Sequence, residues 1–198
     1  MDKTYADTVR LLLAAAPEVF ASDIFAMKGG SAINLFVRDM PRLSVDIDVV
    51  YRPWQTPREE ALADIADEIE AIAGRLANRG MRTRKVAAKD LDDTKLLIEH
   101  QSSQVKVEVN VVFRGTVLPV ERRTLTASTA EMFGAELELP VLATAELYGS
   151  KLVAAMDRQH PRDLFDVLQM FASGGLSDAM VECFVIYLAG HNRPIHEV

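Results

Sequence analysis

The chain has 198 residues, of which 49% are hydrophobic and 26% charged, enough for one sizeable core or for one domain with a helical appendage. This composition excludes wholesale disorder. The single cysteine, Cys183, excludes an internal disulfide and is typical of a reducing cytosol. Because no apolar run reaches about 18 residues and the N-terminus lacks a signal-peptide layout, we expect a cytoplasmic protein without a membrane span.

The net charge of −7 argues against a nucleic-acid partner, because proteins that hold nucleic acid by its phosphates usually present a basic surface. The charge is uneven, however. One basic stretch contains Arg75, Arg79, Arg82, Arg84, Lys85 and Lys89. This stretch is either a solvated helix end followed by a charged strand, or a local binding surface for a phosphate backbone.

Hydrophobic periodicity predicts the elements in chain order. The first part reads as a helix over 4–16 that stops near Pro17, a strand over 24–27, a helix from a Ser31 cap to Pro41, a strand over 43–49 and a helix over 58–78. Strands then follow over 81–88, 95–100, 105–113, 121–126 and 136–140, and helices over 144–157, 162–172 and 177–189. We therefore predict a mixed α/β part, 1–142, and a helical part, 143–198, to which the natural protein could add further helices.

Two aspartates alternate with apolar residues in the strand over 43–49. Residues two apart share one face of a strand, so Ser44, Asp46 and Asp48 point away from the core. Adjacent carboxylates repel each other unless a cation lies between them. The pair is therefore either a site for Mg²⁺ (or Mn²⁺), completed by substrate phosphates, or merely an exposed acidic face.

A glycine turn precedes this strand. Gly29 and Gly30 let the backbone turn tightly before a helix, whose free N–H groups and positive dipole end attract an anion. The Ser31 hydroxyl can add a donor to a phosphate. Such turns are commonplace, but this one lies 15 residues before Asp46, so an anion site beside a metal site is predicted.

Three further charged residues strengthen this interpretation. Glu108 alternates with valines, and on a strand beside Asp46 and Asp48 it would add a third carboxylate; the alternative is an exposed Lys–Glu strand face. Lys151 can neutralise phosphate charge in the transition state. Asp163 can hold Lys151 or position the acceptor, although an acid in the first turn of a helix is also favoured by the helix dipole alone.

Several motifs, in order over about residues 25–170, resemble the AbiEii/AbiGii toxin family of nucleotidyltransferases. They are Lys28-Gly29-Gly30-Ser31-Ala32-Ile33-Asn34-Leu35, Arg42-Leu43-Ser44-Val45-Asp46-Ile47-Asp48, Lys106-Val107-Glu108-Val109-Asn110, Glu146-Leu147-Tyr148-Gly149-Ser150-Lys151-Leu152 and Arg162-Asp163-Leu164-Phe165-Asp166. The resemblance implies a DNA polymerase β-like nucleotidyltransferase core with a mixed sheet and a helical C-terminal part. It also implies a toxin of a toxin–antitoxin or phage-abortive system, with an AbiEi-type antitoxin as partner.

Together, motif and resemblance assign the site residues. The expected catalytic residues are Asp46, Asp48, Glu108, Lys151 and Asp163, of which Asp46, Asp48 and Glu108 bind metal. The expected phosphate-binding residues are Lys28, Gly29, Gly30, Ser31, Arg42, Ser44 and Arg158.

The predicted reaction is metal-dependent transfer of a nucleoside monophosphate from an NTP, with pyrophosphate leaving. MenT-type members of the family transfer nucleotides to the 3′ end of tRNA, so the resemblance implies a tRNA acceptor. The same core could instead modify a protein or a small molecule. A non-catalytic, nucleotide-binding regulatory module and an inactive relative are the remaining alternatives.

Overall fold

The computed structural model describes residues 3–87 and 93–198, which form seven α-helices and seven strands. The helices are α1 (Lys3–Val19), α2 (Gly29–Ala32), α3 (Arg58–Asn78), α4 (Ala127–Phe133), α5 (Thr144–Arg158), α6 (Pro161–Ala172) and α7 (Asp178–Ala189). The strands are β1 (Phe25–Lys28), β2 (Asp46–Tyr51), β3 (Arg82–Ala87), β4 (Asp93–His100), β5 (Ser103–Asn110), β6 (Glu121–Thr124) and β7 (Glu138–Val141). The α2 helix continues as a π-helical turn, Ile33–Val37, and a short 3-10 turn covers Ile195–Glu197.

All seven strands belong to one mixed sheet in the order β3-β4-β5-β2-β1-β7-β6. β2 runs parallel to β5 and β1 runs parallel to β7, while the other neighbours are antiparallel. The predicted α/β class with a mixed sheet and a helical C-terminal part is confirmed. No helix within the described residues is long and apolar enough to cross a membrane.

A large part of the core lies on the face of the sheet that is covered by α1 and α3. Period-two alternation in β2 and β5 turns the apolar side chains toward these helices and leaves the polar ones on the opposite face. The buried set includes Ile47 and Val49 of β2, Val105, Val107 and Val109 of β5, Val9 and Leu12 of α1, and Ile65, Ile69, Ile72 and Leu76 of α3. Burial on one side therefore determines which residues the open face presents.

Two predicted helix boundaries are wrong. α1 runs through Pro17 to Val19, because Ala16 and Val19 are fully buried and their packing outweighs one lost backbone hydrogen bond. The second helix begins at Gly29, not on a cap at Ser31, and it ends at Val37 before Pro41. Ser31 lies inside that helix, where its side chain bonds a different strand instead of capping.

The remaining boundaries agree to within a few residues, except that β2 begins at Asp46, α4 was not predicted, and β5 ends at Asn110. The helices of the last part lie where their periodicity predicts. The last strand ends at Val141 and α5 begins at Thr144, while a division into two domains near residue 142 stays a prediction.

Candidate active site

Two rows of side chains cross the open face of the sheet. The first row consists of Lys28, Asp48, Glu108 and Lys95, which are successive backbone partners on β1, β2, β5 and β4. The second consists of Asp46, Lys106, Leu97 and Arg84 on β2, β5, β4 and β3. The prediction that Glu108 lies on a strand adjacent to both aspartates is confirmed. Charges of both signs thus meet where β2 joins β5.

The glycine turn lies directly against Asp48. Gly29 has a φ of +75°, and a Cβ at this position would be 2.1 Å from Asp48 Oδ2. Gly30 is similarly close to a pair of predicted phosphate-binding residues, since its Cβ would be 2.8 Å from both Arg42 Nη2 and Ser44 Oγ. Gly29 therefore requires glycine for both conformation and space, whereas a Cβ at Gly30 would have to displace the ends of the Arg42 and Ser44 side chains.

Ser31 and Asn34 hold the turn against β2. The Ser31 hydroxyl donates to the backbone carbonyl of Asp46 at 2.5 Å, and the Asn34 amide donates to the carbonyl of Gly30 at 2.8 Å. Both side chains are fully buried. The Ser31 hydroxyl thus donates its hydrogen bond to β2, and the phosphate contact predicted for this hydroxyl stays a prediction.

A buried ionic network joins the helical part to the turn. Lys151 Nζ lies 2.9 Å from Asp163 Oδ1 and 3.2 Å from Asp166 Oδ2. Arg42 donates two hydrogen bonds to Asp166, at 2.7 and 2.5 Å, and Arg158 donates one to Asp163 at 2.9 Å. The predicted contact between Lys151 and Asp163 is confirmed, and the network fixes α6 relative to both α5 and the segment before β2.

Asp166 is the member of this network that sequence reasoning did not single out. It lies three residues after Asp163 on α6, so both carboxylates share one helix face. Asp166 is buried beside Arg42 and Lys151, so its spacing of three residues from Asp163 could have identified it as a member of the site. Burial raises the pKa of Asp163, but the charge and hydrogen bond of Lys151 and the charge of Arg158 outweigh burial, so that pKa lies below its usual value.

A pocket of about 630 Å³ opens between the first row and the helical part, within the size range of small-molecule sites. Its lining includes the charged residues Lys28, Asp48, Glu108, Lys95, Asp157, Lys151 and Arg158, together with His191. Gly29 also lines it. The pocket thus has charges of both signs on each side: Asp48, Glu108, Lys28 and Lys95 on the sheet, and Lys151, Arg158 and Asp157 on α5.

The other end of the pocket is aromatic. Phe113 and Tyr187 stack with their ring centroids 4.1 Å apart, and Lys28 Nζ lies 5.5 Å from the Tyr187 ring centroid. Glu146, buried at the start of α5, accepts hydrogen bonds at 2.9 Å from the Tyr187 hydroxyl and from the backbone of the loop after Phe113. Burial and this carboxylate raise the pKa of Tyr187. Apart from Glu146, which lies in a quoted motif, the sequence carried no signal for this wall.

The carboxylates of the sheet have unequal environments. Burial first, and then the neighbouring Glu108 charge, raise the pKa of Asp48 to about 6. Burial lowers the pKa of Lys28. Burial alone would raise the pKa of Glu108, but hydrogen bonds from Lys106 and Lys95 place it below its usual value. Asp48 therefore carries a negative charge that its surroundings compensate only in part.

This incomplete compensation fits a divalent cation at Asp46 and Asp48. Magnesium is commonly held by one or two carboxylates, with substrate phosphates and water completing its octahedron. Glu108 is less available, because Lys95 and Lys106 each lie 3.0 Å from its Oε1. Among the described residues no group of three or more acids, histidines or cysteines is arranged to hold a metal. The donor set thus fits a two-aspartate ion, and a ligand role for Glu108 stays a prediction.

Paired aspartates on a strand behind a glycine turn, facing a helical lysine across an open pocket, define the class of the protein as a nucleotidyltransferase. The chain belongs to the family described as nucleotidyl transferase AbiEii toxin, type IV toxin–antitoxin system, whose model matches residues 10–198. The resemblance noted from the motifs is confirmed. Membership implies an NTP substrate and an antitoxin partner.

A solved structure shares the fold. MenT4, a nucleotidyltransferase toxin from Mycobacterium tuberculosis H37Rv, superposes with a TM-score of 0.67 at 19% identity. The likeness covers 94% of this chain and 67% of that chain, and at this identity it shows the fold alone. A comparison with curated proteins finds no match.

Replacing Gly29 with alanine is expected to disrupt the site, because the new Cβ would overlap the Asp48 carboxylate. Gly80→Ala is a matched control: Gly80 has a φ of +74° but nothing within 4 Å of its Cβ position. Both variants should lose on the order of 1 kcal/mol through backbone strain. Only Gly29→Ala should also lose nucleotidyl transfer, measured with purified proteins of verified fold. Equal activity in the two variants would contradict the close approach of Gly29 to a functional Asp48.

Proposed function

We propose that the protein transfers a nucleoside monophosphate from an NTP to an RNA hydroxyl, with the 3′ end of tRNA as acceptor, in a Mg²⁺-dependent (or Mn²⁺-dependent) reaction. One observation carries the proposal. A pocket of nucleotide size has Asp48 on its sheet side and Lys28, Lys151 and Arg158 around it. Carboxylates for a cation and cations for a triphosphate are thereby combined in one cavity.

Each side chain has a role in this proposal. Asp46 and Asp48 would hold the Mg²⁺, which would neutralise charge and make the acceptor hydroxyl more acidic. Lys28, Lys151 and Arg158 bind the triphosphate and neutralise the charge that develops on it. The acceptor hydroxyl releases its proton to solvent as its oxygen bonds to the α-phosphorus. The bond from the α-phosphorus to the oxygen shared with the β-phosphate breaks, so pyrophosphate leaves.

Neighbouring side chains keep these ligand-binding groups in position. Asp163 and Asp166 orient Lys151 through the buried network, and Asp163 also binds Arg158. Arg42 and Ser44 stand against Gly30, and Arg42 ties this segment to α6 through Asp166. In this arrangement Arg42 and Ser44 support the phosphate-binding turn, and direct contact with the triphosphate is a further expectation for both residues.

The RNA acceptor and the antitoxin rest on family membership. Because family members act in two-gene systems, we infer that an AbiEi-type antitoxin is the cognate partner and that transfer to tRNA arrests growth. Further support for RNA comes from cations on the open face of the sheet beside Asp46. The same pocket could serve a protein or small-molecule acceptor, or bind a nucleotide for regulation without turnover.

The test is to incubate the protein with each of the four labelled NTPs, with Mg²⁺ and purified tRNA, total RNA or lysate. We expect 3′ extension of tRNA that EDTA abolishes and that Asp46→Ala lacks. Label on protein or a small molecule but not on RNA would contradict the proposed acceptor. The regulatory alternative predicts that the protein binds a nucleotide without transferring label, and that Asp46→Ala leaves its effect in the cell unchanged.

A further inference from the structure

The basic stretch divides between the two sides of the sheet. Arg75 lies 2.6 Å from Glu68 and Arg79 lies 2.7 Å from Glu18, so both bind acids of α1 or α3. Lys85 binds Glu70 of α3. These three cations are occupied on the core side, as expected of a helix end followed by a charged strand. Lys89 lies outside the described residues.

Arg82 and Arg84 lie on the opposite side. Alternation along β3 separates them from Lys85, and both are exposed. Arg84 is in the row that leads through Leu97 and Lys106 to Asp46. Arg82 lies two residues before Arg84 on the same face of β3, opposite Glu99 of β4. Among the residues described, Glu99 is its only close acid, at 3.8 Å.

We define the acceptor face as the open face of β3, β4 and β5 that carries Arg82, Arg84, Lys95 and Lys106. Among the side chains described there, four are cations and two, Glu99 and Glu108, are acids, whereas the whole chain has a net charge of −7. A local excess of positive charge on an acidic protein is what selective binding of a polyanion requires.

We propose that the acceptor face binds the sugar–phosphate backbone of the RNA acceptor and directs its 3′ end to Asp46 and Asp48. This inference rests on the proposed function. Adjacent strands lie about 4.8 Å apart, so Arg84 is about 14 Å from Asp46 across three strand spacings. That length spans several phosphates of one strand. Lys106, whose Nζ lies 4.0 Å from Asp46 Oδ1, is the cation of this face that would meet the last phosphates.

The chemistry of the face indicates what it reads. Among its described residues there is no aromatic side chain on which a base could stack; the others are Val86, Leu97, Gln104 and Asn110. Phosphate contacts position a nucleic acid without conveying sequence. The face therefore holds the acceptor by its backbone, and any selectivity for one RNA arises elsewhere.

The test compares two double variants from the same stretch. Arg82→Gln with Arg84→Gln removes two cations from the acceptor face, and Arg79→Gln with Lys85→Gln removes two from the side of α3. Both change the net charge equally. For the first pair we expect the KM for tRNA to rise about tenfold at 0.1 M salt, with the KM for NTP unchanged. The slope of log binding constant against log salt concentration should become shallower by about 1.4, because each of the two lost phosphate contacts contributes about 0.7. The second pair should behave as wild type.

The outcomes separate this inference from the proposed function. If wild-type protein labels RNA and the two double variants lose RNA affinity equally or not at all, the acceptor face is wrong and the proposed reaction stands. If wild-type protein labels only protein or a small molecule, the proposed acceptor itself is wrong. Circular dichroism and thermal unfolding of both variants show whether a loss of RNA affinity arises from misfolding. Misfolding should affect the variant that contains Lys85→Gln at least as much, because that variant loses the ion pair with Glu70.

Discussion

Replacing Asp48 with asparagine is expected to abolish nucleotidyl transfer and at the same time to stabilise the fold at pH 8. Removal of a group next to a metal ligand commonly costs 10–100-fold, so loss of a proposed ligand should lower transfer by about a hundredfold or more. Cells that express the Asp48→Asn variant in place of the wild-type toxin should therefore continue to grow. Transfer is measured with the labelled-NTP assay described above, and growth is measured with a plating assay.

The stabilisation follows from the pKa of Asp48. Its folded-state pKa of about 6 exceeds the usual 3.8, so the ionised carboxylate is less favourable in the folded protein than in the unfolded chain. That cost is complete above pH 6 and declines as the pH falls from 6 toward 3.8. A neutral asparagine removes it. Allowing for partial exposure of Asp48, the gain at pH 8 should be on the order of 2 kcal/mol.

Urea unfolding in EDTA, at several pH values from 4.5 to 8, measures this gain. Asp46→Asn is the matched control: the Asp46 side chain is 36% exposed, so that variant should lose transfer without comparable stabilisation. A gain for Asp48→Asn that is independent of pH, or a loss of stability at pH 8, would contradict the assigned cause. Added Mg²⁺ should stabilise wild type and not Asp48→Asn.

Replacing Lys151 with alanine is expected to destabilise the fold strongly as well as to remove transfer. Its side chain is 7% exposed and contacts both Asp163 and Asp166, which are buried. Without Lys151, Asp166 would keep its ion pair with Arg42 and Asp163 would keep its ion pair with Arg158. Removal of one partner of a buried ion pair typically costs 3–5 kcal/mol, and the two arginines should limit the loss to about 3 kcal/mol.

Arg158→Ala provides the comparison, because Arg158 binds the same Asp163 but is 61% exposed. An exposed ion pair contributes at most about 1 kcal/mol, so this variant should unfold nearly as wild type does. Transfer should nevertheless fall in both, since both side chains line the pocket. Chemical denaturation and NTP kinetics at a temperature where both variants are folded distinguish the two effects. Equal destabilisation by the two substitutions would contradict the buried role of Lys151.

Local patterns predicted much of the fold because they depend on neighbours along the chain. Alternation in β2 and β5 correctly placed Asp46, Asp48 and Glu108 on an open face, since one buried face leaves no other orientation. Helical spacing predicted α3 with its observed ends, Arg58 and Asn78. Pro17 failed as a stop signal because the burial of Val19 depends on contacts distant in the chain.

Residue pairing across the sheet could not be predicted in the same way. Alternation does not specify the partner of Asp48, and only the parallel pairing of β2 with β5 places it opposite Glu108. Nor does alternation show that Lys95 and Lys106 both lie 3.0 Å from Glu108, whose role as a third metal ligand stays a prediction. The hydroxyl of Ser31 likewise found a partner, the Asp46 carbonyl, that lies 15 residues away.

The amino-acid sequence was enough to predict the glycine turn, the paired aspartates, the helical lysine and the family that these motifs define. Those features depend on residue identity and short spacing, which a sequence displays directly. The three-dimensional structure was needed to show which acids and cations face one another, that Asp166 completes the Lys151 network, and that Arg84 and Lys85 lie on opposite sides of β3. Such relations depend on strand register and helix packing, because free energy of burial is summed over contacts between residues far apart in the chain.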